Sequence, residues 1–202
     1  RKAPRNEPPT RYPPSPLRFP WIKNVSFFVA KLRFSWYIGA KQIKETILVN
    51  KKEKAKAVIE ILRQRYGDAA CALHYAKDYE LMIAVRLSAQ CTDARVNLVT
   101  PALFAAYPTL EAMAAADIAD VENYVRSCGF YKHKARDIVL ACQMLLTDYG
   151  GKVPGTMEEL LRLPGVGRKT ANLLLGDLYA VPGSVVCDTH CIRICGRLGL
   201  ST

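Results

Sequence analysis

The chain has 202 residues, of which half are apolar, and its 29 Lys and Arg side chains exceed its 18 Asp and Glu side chains to give a formal net charge of +11. A charge of this sign favours a polyanionic partner. Charged residues interrupt every long apolar stretch, which excludes a membrane span and predicts a soluble chain with a packed core. Most of the excess charge lies at the start, because residues 1–50 hold ten basic and two acidic side chains.

The seven cysteines are scattered without a CxxC pair. Their number and spacing fit neither a disulfide framework nor a closed zinc site, and they favour a reducing compartment. Cys187, Cys191 and Cys195 are spaced four residues apart, which places them on one face of a helix. We interpret them as small buried apolar side chains and assign no metal site.

Residues 1–48 do not have the pattern of a folded domain. Seven of the twelve prolines lie in the first twenty residues, where they exclude a regular helix or a central strand. The stretch that follows is aromatic and basic, with Glu45 as its single acidic residue. An organelle transit peptide is one interpretation, although the proline density argues against it. We prefer another, in which this extension is disordered or extraneous upstream sequence and Val49 is the natural start.

From Asn50 onward the apolar residues recur with helical spacing and no period-two strand is evident, which predicts an all-α protein. A first helix is expected over residues 51–66, with one apolar stripe that includes Val58, Ile59 and Leu62 and an end before Gly67. Further helices are predicted from Asp78 to about Leu87, from Thr92 to about Leu103, from Thr109 to about Ala116, from Asp117 to Cys128, from Lys132 to Tyr149, and from Thr189 to Leu198, with Asp78 and Thr92 as N-caps of the first two.

Residues 156–180 predict a helical hairpin. Thr156 and Glu159 have the spacing of a capping box for a short helix, and Pro164 prevents that helix from continuing. Gly165 and Gly167 then make a tight turn before a second helix. Glycines let a backbone approach a ligand closely, and the free amides of the second helix form an anion site of phosphate size. A plain helix connection fits the turn about equally well.

Lys169 and Asp188 are the candidate catalytic residues. Lys169 lies in the first turn of the second helix, where the helix dipole disfavours an ammonium group, so it can act as a nucleophile instead of a solvated charge. Asp188 follows an apolar segment and precedes a helix. It is either an ordinary N-cap or a carboxylate that accepts a proton and stabilises a cationic transition state. Spacing alone does not show that the two side chains meet.

Five segments then resemble one family in their order and approximate spacing. They are LSAQCTD at 87–93, CGFYKHKA at 128–135, VP at 153–154, LPGVGRKTAN at 163–172 and VCDTHCIRI at 186–194. From about Asn50 to Thr202 the chain is similar to the endonuclease III family of helix-hairpin-helix DNA glycosylases. The resemblance implies an all-α multi-helix bundle with the hairpin at 156–180.

The resemblance also implies roles for individual residues. Lys169 matches the Schiff-base lysine of the family and Asp188 its catalytic aspartate. Gln90 matches the glutamine that fills the space of an extruded base, and Phe130 stands where the family places an apolar wedge, usually a leucine. Contacts with DNA are further expected from Tyr131, Lys132, Lys134, Gly165, Val166, Gly167, Arg168 and Thr170.

A 4Fe-4S cluster is implied for the full-length family, whose four-cysteine loop lies beyond the point that matches Thr202, so its ligands are absent from this chain. We therefore expect a C-terminally truncated fragment with an incomplete iron-sulfur domain. The expected divisions are 1–48 as the extension, 49–70 as the N-terminal helix of the cluster-bearing domain, 71–184 as a six-helix barrel-type domain, and 185–202 as the catalytic aspartate loop and the helix that returns to the second domain.

The implied activity is base excision repair: removal of oxidised pyrimidines from duplex DNA through a lysine Schiff base, followed by β-elimination at the abasic site. The partner is damaged double-stranded DNA, with no membrane, and a monomer is expected. The expected location is the bacterial or archaeal cytoplasm with the nucleoid, or the nucleus or an organelle if the source is eukaryotic. Two alternatives remain, a monofunctional glycosylase of the same superfamily and a non-catalytic helix-hairpin-helix DNA-binding module.

Overall fold

The computed structural model describes residues 50–67 and 70–201. The expected N-terminal extension, residues 1–48, lies outside the described residues. The described part is helical, with no β-strand, so the predicted all-α class is confirmed. In chain order the helices are α1 (Lys51–Tyr66), α2 (Asp78–Ser88), α3 (Asp93–Ala106), α4 (Leu110–Ala114), α5 (Ile118–Val125), a 3-10 turn (Arg126–Cys128), α6 (Tyr131–Asp148), α7 (Met157–Leu160), α8 (Arg168–Tyr179) and α9 (Thr189–Arg197).

Side-chain caps begin several of these helices where the sequence predicts them. The Thr92 hydroxyl accepts a hydrogen bond from the Arg95 amide at 3.3 Å, and the Asp117 carboxylate accepts one from the Ala119 amide at 2.7 Å. Each such cap contributes about 1 kcal/mol to helix stability. These caps explain why the observed helix starts agree with the predicted ones within one or two residues.

The predicted cap at Asp78 is wrong. Helix α2 does begin at Asp78, but the carboxylate that binds the free backbone amides there belongs to Glu80. Its Oε2 atom accepts hydrogen bonds from the amides of Ala76 at 2.7 Å and Lys77 at 3.2 Å. Glu80 is largely buried, so these bonds satisfy a charge that burial would otherwise make costly.

Helix α2 forms the centre of the core. Leu81, Met82, Ile83 and Ala84 are all nearly inaccessible to solvent, so α2 is covered on every side. It packs against α3, α6 and α8, while α6 also packs against α4 and α5. Full burial of one such aliphatic side chain contributes about 1.5–3 kcal/mol. The ends of α2 and α6 and the start of α8 are therefore held on one packed core.

Helix α1 differs from the others because none of its residues is buried. Ile59 and Ile61 are 47% and 41% exposed, and Val58 and Leu62 are only partly covered. The apolar stripe predicted for this helix exists, but the described residues do not bury it.

Within the described ranges, no helix has the length and apolar character needed to cross a membrane.

Candidate active site

The hairpin turn places the first amides of α8 at the surface. Gly165 has φ +74°, a backbone conformation that glycine adopts readily, and Gly167 is the N-cap of α8. The first intrahelical hydrogen bond runs from the Ala171 amide to the Gly167 carbonyl at 2.9 Å. The four amides from Gly167 to Thr170 therefore precede the helical ladder and have no acceptor within it. This geometry suits an anion such as a phosphate.

Val166 does not fit the DNA contact predicted for it. Its side chain is buried and packs with the core, and its amide donates a hydrogen bond to the Leu163 carbonyl at 3.1 Å. The amide of Val166, which could bind a phosphate, and its side chain, which could approach a base, are thus both engaged in contacts inside the protein. Val166 fixes the turn, and the exposed backbone on either side of it remains for a ligand.

Lys169 is exposed in the first turn of α8, and its positive charge acts on the carboxylate of Asp93. Burial raises the pKa of Asp93, and the positive charge of Lys169 lowers it by a smaller amount. Asp93 is not among the site residues predicted from the sequence. Asp93 is the last residue of the LSAQCTD segment and the first residue of α3. A carboxylate inside a segment that resembles the family is the feature by which the sequence could have identified Asp93 as a site residue.

Asp188 is half-buried and is the N-cap of α9. Its Oδ1 atom accepts a hydrogen bond from the Cys191 amide at 2.7 Å. One amide uses only part of the acceptor capacity of a carboxylate, so capping and proton transfer are compatible roles. Lys169 and Asp188 thus both lie at helix N-termini, and their direct encounter stays a prediction.

Gln90 and Phe130 share an unusual backbone conformation. Their φ angles are 55° and 48°, and among the described residues only Ala180 is another non-glycine residue with positive φ. Both side chains are exposed, Phe130 by 68%. Left-handed conformations of this kind cost about 1–3 kcal/mol and persist only where the surrounding structure imposes them. The two residues predicted to enter DNA are therefore presented at the surface on constrained loops.

The remaining residues of the predicted interface differ in exposure. Lys132 and Arg168 are exposed, so both are available to phosphates. Thr170 is partly exposed. Tyr131 is half-buried, with the Arg126 guanidinium 5.9 Å from its ring centroid.

Lys134 does not point to solvent. Its side chain is 1% exposed, and Nζ donates hydrogen bonds to the carbonyls of Leu87 at 2.9 Å, Ala89 at 2.7 Å and Cys128 at 2.5 Å. Burial lowers its pKa, an effect that the nearby thiols of Cys91 and Cys128 partly oppose. All three donors of the ammonium group are occupied, so the predicted phosphate contact of Lys134 is wrong.

An ion pair that the sequence analysis did not predict lies beneath the hairpin turn. Arg86 of α2 binds Asp137 of α6, with Nε at 2.9 Å and a terminal nitrogen at 2.5 Å from Oδ2. A Cβ atom on Gly165 would lie 2.7 Å from both Arg86 Cδ and Asp137 Oδ2. The turn therefore packs against this pair, and a side chain at position 165 would have to displace it in addition to adopting the positive φ.

The three C-terminal cysteines are not equivalent. Cys191 is buried as predicted, Cys195 is partly buried, and Cys187 is exposed, so the packing role predicted for Cys187 is wrong. Across residues 50–67 and 70–201, no group of three or more His, Cys, Asp or Glu side chains could hold a metal ion. The described residues thus do not fit a 4Fe-4S cluster.

Comparison with known protein families identifies the superfamily of this chain. Residues 83–202 match the model of the HhH-GPD superfamily base excision DNA repair proteins. The chain belongs to this superfamily. The matched residues include Gln90, Phe130, Lys169 and Asp188, together with the whole hairpin.

Individual superfamily members give the same result. The chain is 45% identical over 154 residues to endonuclease III of Synechocystis sp., a match that covers 76% of this chain and 70% of the relative. It is also similar to endonuclease III in a non-covalent complex with DNA and in a trapped covalent intermediate with DNA. Each structural match has a TM-score of 0.71 and 41% identity, and covers 77% of this chain and 72% of the other.

Proposed function

We propose that the protein is a base excision repair DNA glycosylase with associated AP (apurinic/apyrimidinic) lyase activity, which removes oxidised pyrimidines from damaged duplex DNA. The observation that carries the proposal is the exposed amine of Lys169, one residue into the helix that follows the glycine turn. A nucleophile beside a phosphate-sized anion site can reach a sugar whose phosphate that site holds.

Binding begins at the sugar-phosphate backbone. The amides of Gly167 to Thr170 receive a phosphate, and the exposed side chains of Lys132 and Arg168 add charge without reading sequence. These contacts fix the register of the hairpin on the duplex.

A pyrimidine inside a duplex is out of reach, so the target nucleotide must leave the stack. Extrusion costs a few kcal/mol and is easiest for a damaged pair. Gln90 and Phe130 occupy the vacated space, Phe130 as an apolar wedge and Gln90 with an amide that can bind the orphaned base. Their exposure on constrained loops supports these roles.

The chemistry follows from a primary amine. The neutral nitrogen of Lys169 attacks C1′ of the sugar while the C1′–base bond breaks and the base leaves with the electron pair. The Asp188 carboxylate stabilises the positive charge that develops on the sugar and then accepts the proton lost by the attached nitrogen. The C1′–O4′ bond next opens as that proton passes from Asp188 to O4′, which leaves an imine between C1′ and the lysine nitrogen. Loss of a C2′ proton from this imine then breaks the C3′–oxygen bond and releases the 3′ phosphate. Water as the nucleophile would leave no imine and no strand cleavage.

The alternatives explain less of the site. A non-catalytic DNA-binding module needs the glycine turn but neither Lys169 nor Asp188, and a monofunctional glycosylase needs no lysine there. A monomer acting in the compartment that holds the cell's DNA is consistent with the proposed activity.

The test uses a labelled duplex that carries one oxidised pyrimidine. The protein should release the damaged base and cut the strand at the same position, while the undamaged duplex stays intact. Lys169→Ala should retain DNA affinity and lose both reactions. Base release without strand cleavage would support the monofunctional alternative, and binding without any reaction would support the non-catalytic one.

A further inference from the structure

The buried ammonium group of Lys134 joins two loops that are distant in sequence. Leu87 and Ala89, whose carbonyls accept two of its hydrogen bonds, lie at the end of α2 and in the loop after it. The third acceptor, the Cys128 carbonyl, closes the 3-10 turn that precedes α6. A single side chain thus holds the backbone of both loops at distances of 2.5–2.9 Å.

The two loops are those that present Gln90 and Phe130. Ala89 directly precedes Gln90, and Cys128 is separated from Phe130 only by Gly129. Both presented residues have positive φ, a conformation that relaxes unless neighbouring contacts impose it. Lys134 binds the backbone carbonyl one residue before Gln90 and the one two residues before Phe130, so its hydrogen bonds can impose the positive φ angle at both residues.

The charge and the burial of Lys134 favour the state in which its ammonium group keeps all three hydrogen bonds. The acceptors lie at the C-terminal ends of helical segments, where carbonyls lack intrahelical donors and attract a positive charge. A buried ammonium group is costly unless each of its donors finds an acceptor. The three bonds satisfy it completely, so movement of either loop would leave a buried charge short of a partner.

We propose that Lys134 is a positioning residue that holds the loops of Gln90 and Phe130 in a fixed relative register, so that both side chains enter the duplex together when the base is extruded. This inference rests on the proposed function of the two loops in base extrusion. It replaces the phosphate contact that the sequence suggested for Lys134.

The experiment compares wild-type protein with Lys134→Met, which keeps the length of the side chain and removes its charge. Two substrates separate the steps: a duplex with an oxidised pyrimidine, which requires extrusion, and an abasic site in a single strand, which does not. Lys134→Met should slow single-turnover excision from the duplex by about 100-fold, the order associated with misplacing groups by about 1 Å. Cleavage of the single-stranded abasic site should change by less than about threefold. A 2-aminopurine base beside the lesion should lose the fluorescence rise that reports unstacking.

A double-mutant cycle then tests whether Lys134 acts through the two loops. In a Gln90→Ala and Phe130→Ala background, Lys134→Met should cause no further loss of duplex excision. Lys152→Met is the matched control, since it removes an exposed charge just beyond the opposite end of α6 and should leave both reactions unchanged.

Equal losses on both substrates, or the same fold loss in the Gln90→Ala and Phe130→Ala background, would overturn the proposal. Lys134→Gln, which keeps two donors, replaces Lys134→Met if that variant does not fold. Failure of both variants to fold would reduce Lys134 to a requirement of the core and would also overturn it. An inactive wild-type protein would instead contradict the proposed function, so the two failures are distinguishable.

Discussion

The carboxylate of Asp137 lies directly against Gly165, where a Cβ atom would come within 2.7 Å of Oδ2. Gly165→Ala must displace the Arg86–Asp137 ion pair and also adopt φ +74° with a side chain. We expect this variant to lose about 2–4 kcal/mol of unfolding free energy, the range for strain and a broken ion pair. Urea denaturation with a wild-type reference measures it.

Gly167→Ala is the matched variant, because a Cβ atom there meets nothing within 4 Å. The N-cap change should cost only a few tenths of a kcal/mol of unfolding free energy. The Tm of this variant should therefore lie within about 1 °C of the wild-type Tm. Its methyl group would nevertheless obstruct a phosphate at the α8 amides. We expect about tenfold weaker binding to damaged and undamaged duplexes alike, because phosphate contacts carry no sequence information. Unchanged affinity would reduce the turn to a connector between helices.

Asp188→Asn separates the two roles of Asp188. Asparagine caps a helix about as well as aspartate, so the thermal stability of the variant should be close to that of wild type. Loss of the carboxylate charge should nevertheless slow base excision by about 100-fold or more. Asp188→Ala should lose both the activity and about 1 kcal/mol of stability. Near-normal turnover of Asp188→Asn in single-turnover assays would leave Asp188 as a cap only.

The helices were predictable because their signals are local. Caps such as Thr92 and Asp117 and terminators such as Gly129 act within one turn, so a single sequence contains them. Glu80 was missed as the cap of α2 because Asp78 offered the more usual residue type at the start. The local pattern predicted the hairpin and singled out Lys169 and Asp188 as candidates, and the family resemblance added Gln90, Phe130 and the other DNA contacts.

The DNA contact predicted for Lys134 follows from its place in the CGFYKHKA segment that resembles the family. A signal against this was present. Lys134 lies on the same face of α6 as Ile138 and Leu145, at the helical spacing of the buried stripe. The three acceptors that stabilise it come from other segments, two of them more than 40 residues away in sequence. Such a long-range arrangement is not encoded in the local pattern.

We expect the charge of Asp93 to lower the stability of the protein while supporting its activity. Because burial raises the pKa of Asp93, the folded state binds this proton more tightly than the unfolded state does. Stability therefore falls as pH rises from the ordinary carboxyl range to the raised value, and the full cost persists at higher pH. Asp93→Asn should have a higher Tm than wild type at about pH 7 and no advantage at about pH 3.

The gain from Asp93→Asn should increase in a Lys169→Ala background, because Lys169 partly offsets the cost of the charge. The excision rate of Asp93→Asn should fall, since a carboxylate beside the nucleophile is lost. A lower Tm at neutral pH would mean that the Asp93 charge stabilises the fold.

Thiol reactivity should follow burial. Burial raises the pKa of the Cys142 thiol to about 12, so its thiolate fraction at about pH 8 is on the order of 1 in 10,000. Cys187 is exposed at the start of the Asp188 loop. Brief alkylation of the native protein followed by peptide mass spectrometry should find the label on Cys187 and not on Cys142. Equal labelling would show that the core around Cys142 opens to solvent.

Borohydride trapping on a duplex with one oxidised pyrimidine tests directly whether Lys169 is the nucleophile. Reduction of the imine would leave a covalent protein–DNA adduct, and peptide mapping should place its single attachment at Lys169. Lys169→Ala should bind the same duplex and give no adduct. An adduct on another residue, or an adduct of undiminished yield in Lys169→Ala, would contradict the assignment of Lys169 as the nucleophile.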